Sequence, residues 1–194
     1  MDPDRLQYVT RRYPHLQGLR LLPLAALFLL SALWRAGWMH LPGDDRPLVA
    51  ARWFVAGLAI AVGASYPLRA WYSARFGTLS QRVSDSPLAT MVTFIASLPL
   101  AIAIQGEARL TVLLPVALLA AVLAGVGIGH YPLRRHYLGA AAVLFVLALL
   151  PDLGVPADVL SVLFDAAIGV ALVVVGVGDH RLLTATLQEV HADV

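Results

Sequence analysis

Residues 66–72 read YPLRAWY, and residues 131–137 read YPLRRHY, so five of seven letters recur. Each copy follows a long apolar run, and the two copies lie 65 positions apart. A helix of about 20 apolar residues crosses a bilayer, so this separation allows two crossings. Both copies are therefore predicted to emerge on the same side of a membrane, at the ends of two helical hairpins that repeat in parallel.

Composition places the chain in lipid. Of its 194 residues, 59% are hydrophobic and 13% are charged, whereas roughly a quarter of residues are charged in soluble domains. A soluble domain of this length has too little interior to bury so much apolar surface. We therefore predict one integral membrane domain over residues 1–194, in a multi-pass protein of the cell inner (plasma) membrane.

The residue types that are missing exclude several kinds of chemistry. The chain has no cysteine, which excludes disulfides, thiolate metal sites and cysteine nucleophiles. All 14 basic residues are arginine, which excludes a Schiff-base lysine and is typical of a GC-rich bacterial genome. The arginines are spread over loop ends rather than along one face, so nucleic acid is not a predicted partner.

Apolar runs predict an all-α fold with six transmembrane helices. Pro67 is predicted to end the second and to begin a short interfacial helix that stops before Gly77. Gly125 and Gly129 form a small-xxx-small pair typical of a close helix seam. The helical-hairpin repeat predicts a pseudo-threefold bundle. The predicted spans are residues 19–38, 48–66, 88–105, 110–129, 137–155 and 159–177.

The fifth span is short, because its apolar core covers only Leu138–Leu150. It either extends from Tyr137 through Val155 or forms a re-entrant segment. Ten arginines fall on the side of the N-terminal tail and four on the other side, which predicts that both termini are cytoplasmic. A re-entrant fifth segment would instead place the C-terminus outside.

Tyrosines and arginines gather at the predicted cytoplasmic ends of the helices. Arginine forks bind phosphate or carboxylate, and tyrosine offers an apolar ring with a polar hydroxyl. Lipid headgroups, a phosphorylated ligand or an acidic partner would suit such a face; the alternative is a topology signal with an aromatic belt. The predicted binding residues are Tyr66, Arg69, Tyr72, Arg75, Tyr131, Arg134, Arg135, Tyr137, Asp179, His180 and Arg181.

Asp165 lies within the sixth span, about 9 Å from its beginning at Val159. A charge at that depth costs free energy unless it is paired or protonated, so such acids are functional candidates. Arg35 is the predicted partner and Arg52 a second one. The pair is predicted either to form an ion or proton-coupled transport site or to lock the sixth helix to the first.

Signals of catalysis and of metal binding are weak. The sequence has none of the hydrolase, Walker or zinc-protease motifs, and no paired carboxylates within a span. His130, His136 and His180 are predicted at the interface rather than as ligands, and no cofactor or metal is predicted. The leading hypothesis is therefore a non-enzymatic membrane module, that is, an accessory, sensory or anchoring subunit with membrane lipids and a protein partner or homo-oligomer. The alternatives are a small oligomeric permease or channel that uses Asp165 and, third, a lipid enzyme.

Overall fold

The structure is a computed structural model that describes Tyr13 and residues 16–40, 47–76 and 114–192. Five α-helices lie in this part of the chain. All regular structure in these residues is helical, which confirms the all-α prediction. Short 3₁₀ turns lie at Gly18–Leu21 and Leu150–Leu153. The helices are α1 Leu22–Arg35, α2 Pro47–Phe76, α3 Leu114–Gly129, α4 Arg135–Ala148 and α5 Ala157–Ala192.

Three helical segments are long and apolar enough to cross a membrane: Gly18–Arg35, Arg52–Phe76 and Asp158–Gln188. They carry large apolar side chains on their outer surfaces; Val55 is 63% exposed and Ile60 is 72% exposed. Such a surface is compatible with lipid as its solvent. The apolar helices Val116–Gly129 and Arg135–Ala148 are shorter.

α5 is the central helix of the described bundle. It packs extensively against α1, also contacts α4, and meets the 3₁₀ turn before α1. α2 packs on α1, and α3 packs on α4, so neighbouring helices follow the order α2, α1, α5, α4, α3. Of the predicted hairpins, the first corresponds to α1–α2 and the third to α4–α5, and the two helices of each pair are in contact. α3 corresponds to the fourth span and packs on α4, a helix of the next predicted hairpin.

The contacts of α5 fix the helix directions. Arg35 on α1 lies against Asp165, whereas Gly18 lies against Gly176, so α1 runs antiparallel to α5. α2 runs with α5, because its last turns reach His180. We call the two ends of the bundle the Asp165 end and the Asp179 end. Both α1 and α4 start at the Asp179 end.

A close backbone contact forms the seam between α1 and α5. A Cβ added at Gly176 would lie 2.6 Å from the carbonyl oxygen of Gly18, so neither position has room for a side chain. The predicted seam at Gly125 and Gly129 is not present within the described residues, since nothing lies within 4 Å of their Cβ positions. On α3 it is Gly127 that makes the close contact, against the side chain of Leu138.

The prediction that Pro67 ends the second span is wrong. α2 continues through Pro67 to Phe76, so the predicted interfacial helix is the last part of α2. Pro67 has no N–H for the carbonyl of Gly63, so α2 lacks one helical hydrogen bond at this point. Membrane helices tolerate such a loss. The second motif copy instead begins in the turn between α3 and α4, so the two copies differ in conformation.

The fifth and sixth spans have different bounds from those predicted. α4 ends at Ala148 rather than reaching Val155, because Pro151 has no N–H for the carbonyl of Leu147 and the chain enters a 3₁₀ turn. Its 14 residues are about 21 Å long, less than the roughly 30 Å hydrocarbon core. α5 continues beyond Val177 to Ala192. The third predicted span, residues 88–105, lies outside the described residues.

A cluster of buried apolar side chains closes the Asp179 end. Tyr13, Leu16, Tyr72 and Leu183 are buried together, so the N-terminal segment joins the last turns of α2 and α5. The hydroxyl of Tyr13 donates to the backbone carbonyl of Tyr72 at 3.1 Å. Burial raises the pKa of Tyr13, although a hydrogen bond with Gln17 partly lowers it, so this hydroxyl keeps the proton that it donates.

Candidate functional site

The carboxylate of Asp165 receives two donors from one face of α1. Ser31 Oγ donates to Asp165 Oδ2 at 2.6 Å, and Arg35 Nε donates to the same oxygen at 2.9 Å. Residues four apart lie on the same side of a helix, so Ser31 and Arg35 approach α5 together. The structure thus brings together the predicted pair of Arg35 and Asp165 and adds a hydroxyl that the sequence had not indicated.

The two charges of this pair differ in exposure. The side chain of Asp165 is 6% exposed, whereas that of Arg35 is 48% exposed. Arginine can bury its aliphatic stem and keep its guanidinium near water. A carboxylate inside the bundle thus has a hydroxyl and a guanidinium as hydrogen-bond donors, and the guanidinium side chain reaches the outer surface. Arg52, the second partner considered, is exposed on α2.

Asp179 is the centre of a second polar cluster, about four turns further along α5. Its side chain is 1% exposed. Tyr137 donates its hydroxyl to Oδ2 at 2.7 Å, and Arg134 Nη2 lies 3.5 Å from the same oxygen. His136 Nε2 lies 3.2 Å from Oδ1. We call these four residues the Asp179 cluster.

Local sequence explains how three residues between positions 134 and 137 reach one carboxylate. Arg134 precedes the first residue of α4, and His136 and Tyr137 occupy its first turn. The imidazole of His136 fits because residue 178 is glycine; a Cβ there would lie 2.7 Å from His136 Nε2. The guanidinium of Arg134 also lies 5.0 Å from the ring centroid of Tyr137, a cation–π contact. The sequence analysis had placed His136 at the membrane interface and had not predicted its contact with Asp179.

Tyr72 and His180 form a neighbouring pair that joins α2 to α5. The Tyr72 hydroxyl lies 2.9 Å from His180 Nδ1 and accepts a hydrogen bond from the backbone N–H of Leu19 at 3.3 Å. Tyr72 is fully buried, and its ring also meets that of His180 edge to face. One tyrosine thereby ties three segments of the chain together at the Asp179 end.

The eleven residues predicted for the cytoplasmic face thus divide into two groups. Tyr72, Arg134, Tyr137 and Asp179 are buried, and His180 is half-buried. These five hold the helices together. The other six are exposed around them: Tyr66, Arg69, Arg75, Tyr131, Arg135 and Arg181. We call these six residues the basic–aromatic face.

Charge is distributed unequally between the two ends. At the Asp179 end, the only acidic side chain that the structure describes is that of Asp179 itself, which is buried. Arginines outnumber it there: Arg20, Arg69, Arg75, Arg134, Arg135 and Arg181. The described charges of the other end are nearly balanced: Arg35, Arg52, Asp152, Asp158 and Asp165.

Metal binding has no geometric support in the described part of the chain. No group of three or more His, Asp or Glu side chains there is arranged to hold an ion. His130 Nδ1 lies 3.0 Å from the carbonyl of Val126, one turn earlier. His136 and His180 contact Asp179 and Tyr72 as described above.

No protein-family model matches the chain, and no curated protein or solved structure is significantly similar to it. The physical chemistry of the two ends therefore carries the functional argument.

Proposed function

We propose that this chain is a multi-pass protein of the bacterial inner membrane that acts as a non-enzymatic module, an accessory, sensory or anchoring subunit. Its cytoplasmic surface is the Asp179 end, where the basic–aromatic face binds a partner. The observation that carries the proposal is the separation of roles at this end. Buried polar residues hold the bundle together, while the arginines of the basic–aromatic face are exposed and have no carboxylate partner among the described residues.

The charge asymmetry supports this orientation. Cytoplasmic ends of membrane helices carry an excess of arginine and lysine, and the Asp179 end has that excess among the described side chains. Tyr66, Trp71 and Tyr131 are exposed near the same end, at 57%, 45% and 68%. Tyrosine and tryptophan favour the depth at which hydrocarbon meets headgroups.

Helix directions support six spans. α2 reaches the Asp179 end at Phe76, whereas α3 begins at Leu114, at the opposite end from the turn that joins it to α4. One further crossing by the predicted third span, residues 88–105, would connect them with alternating directions. Six crossings place both termini on the same side, which the proposal takes as the cytoplasmic side.

Asp165 belongs, in this proposal, to a structural lock. A transport site needs a carboxylate that can exchange its ligand, but Ser31 and Arg35 both donate to one oxygen of Asp165 where α1 packs on α5. About three turns further along α5, the seam with the start of α1 is too close for side chains at Gly18 and Gly176. These contacts favour attachment of α5 to α1 over a permease.

Copurification tests the partner. The full chain, tagged and extracted from its native membrane, is expected to bring a stoichiometric protein partner with it. Replacing Arg135 and Arg181 with glutamine should release that partner, because both side chains are exposed and lie next to the Asp179 cluster without belonging to it. Insertion and helicity should stay as in the wild type.

The matched control replaces Arg52, an exposed arginine of the Asp165 end that takes no part in the Arg35–Asp165 lock, and should retain the partner. If the wild-type chain purifies as a lone homo-oligomer that moves solute across proteoliposomes, the module is wrong and the permease is supported. Equal loss of partner in Arg52→Gln would assign binding to total charge instead of this face.

A further inference from the structure

Two arginines from different segments approach each other at the edge of the Asp179 end. Arg20 belongs to the 3₁₀ turn Gly18–Leu21, which packs against α2, and Arg69 lies on α2. Leu19, the residue before Arg20, donates its backbone N–H to the Tyr72 hydroxyl at 3.3 Å, and this bond places Arg20 beside the turn of α2 that carries Arg69. Two neighbouring cations with no described carboxylate beside them repel each other, and an anion bound between them would reverse that repulsion.

The side chain of Arg20 is held in place by one hydrogen bond, while another of its N–H groups has no acceptor among the described residues. Its Nη1 donates to Gln17 Oε1 at 3.3 Å. Gln17 is buried, so it fixes the direction of the guanidinium. Arg20 Nε is shielded from solvent and, among the described residues, has no hydrogen-bond acceptor. A shielded donor without an acceptor is unfavourable, and an oxyanion bound at this guanidinium would supply the missing acceptor.

The depth of this pair is that of lipid headgroups. Arg52 and Arg69 mark the two ends of the apolar part of α2, about 26 Å apart at the helical rise. That length is close to the roughly 30 Å hydrocarbon thickness of a bilayer. Tyr66, one turn before Arg69, is 57% exposed at the same level.

An apolar stripe leads to the pair along the outside of α2. Val55, Ala59, Tyr66 and Arg69 fall close to one side of the helix by their spacing, and all four are exposed. Acyl chains can lie against the first part of this stripe while a headgroup reaches its end. A soluble acidic segment would gain nothing from the apolar part.

We propose that Arg20 and Arg69, assisted by the Tyr66 hydroxyl, bind the phosphate of an anionic phospholipid. Arg20 offers its inward-held guanidinium from the α1 side, and Arg69 closes the site from α2. The inference rests on the proposed membrane insertion of the bundle, but not on the protein partner at Arg135 and Arg181.

Native mass spectrometry of the full chain in neutral detergent tests this site. The protein is titrated with dioleoylphosphatidylglycerol and, separately, with dioleoylphosphatidylcholine. The wild type is expected to bind the first anionic lipid about tenfold more tightly than the zwitterionic one, which corresponds to one charge-assisted hydrogen bond. Arg69→Gln should abolish most of that preference, and Tyr66→Phe should reduce it by a smaller factor.

Arg52→Gln is the matched control, since it removes the same charge from the other end of the same helix, and it should keep the preference. Because Arg69 is exposed, its variant should keep the wild-type circular dichroism. No lipid preference in the wild type, or an unchanged preference in Arg69→Gln, would overturn the site. An equal loss in Arg75→Gln would also overturn it, in favour of a diffuse field.

A glutamate-rich peptide that displaces phosphatidylglycerol at equal concentration would assign the pair to an acidic protein instead. A chain that is monodisperse without detergent and retains no lipid would contradict the proposed membrane function itself. A membrane-inserted chain in which Arg69→Gln has no effect would contradict only the lipid site.

Discussion

At the scale of single residues, two aspartates on α5 solve the same problem in different ways. Asp165 is paired with an arginine that is half-exposed, whereas Asp179 is enclosed by three neighbours and is 1% exposed. A buried carboxylate is tolerated only with donors that satisfy it. Asp165 thus attaches α5 to α1, and Asp179 attaches α5 to α4, so one helix is fixed on two sides.

A double-mutant cycle on Asp165 and Arg35 separates a lock from a transport site. Asp165→Asn should lower the thermal unfolding midpoint in detergent, because Arg35 and Ser31 lose the charge of their shared acceptor. Arg35→Gln should also lower it, and the double variant should lose less than the sum of the two single changes. Circular dichroism during heating measures each midpoint.

Two results would contradict the lock between α1 and α5. Asp165→Asn with an unchanged midpoint, together with lost solute uptake in proteoliposomes, would assign Asp165 to transport. Strictly additive losses would show that Arg35 and Asp165 do not depend on each other.

The sequence predicted Asp165 from its depth and charge, and Asp179 as one residue of the cytoplasmic face, but it could not identify all their neighbours. Arg35 follows from Asp165, since a buried charge requires a partner at similar depth. Ser31 carries no comparable signal, because hydroxyls in helices ordinarily bond to their own backbone. His136 depends on the missing side chain of Gly178, on another helix, which only the fold brings beside it.

At the scale of helices, small residues decide which pair packs closely. The sequence pointed to Gly125 and Gly129 because their spacing is typical of a seam. In the fold, the close backbone approach occurs between Gly18 and Gly176 instead. The spacing of glycines identifies a helix face without side chains, but it does not show which helix packs against that face. Similarly, Pro67 is compatible with either a helix end or a helix interior, and α2 continues through it.

Two glycine-to-alanine changes test the seam. Gly176→Ala should destabilise the bundle, because the new methyl group would lie 2.6 Å from the Gly18 carbonyl oxygen and push α1 from α5. Gly125→Ala is the matched control on an open position and should stabilise α3 slightly, by up to about 1 kcal/mol. Thermal unfolding in the same detergent compares them.

Equal destabilisation by the two changes would contradict the seam, as would a neutral Gly176→Ala. In the second case, α1 and α5 would have to be separated further than the backbone contact allows.

At the scale of the whole molecule, composition and helix length carry the membrane assignment, and three segments are long and apolar enough to span. The number of membrane crossings does not follow directly from composition and helix length. α4 is short because Pro151 interrupts it, and residues 88–105 lie outside the described part of the chain. The orientation is a proposal that rests on the charge asymmetry between the Asp165 end and the Asp179 end, that is, on the positions of arginines rather than on packing.

Cysteine accessibility measures that orientation directly, because the chain has no cysteine of its own. Leu153, 76% exposed in the turn between α4 and α5, and Gln188, exposed near the end of α5, lie towards opposite ends of the bundle. In intact cells, an impermeant maleimide should label Leu153→Cys at once and Gln188→Cys only after the membrane is permeabilised. Labelling of Gln188→Cys in intact cells would contradict the proposed cytoplasmic face, and equal labelling of both would contradict a membrane-spanning bundle.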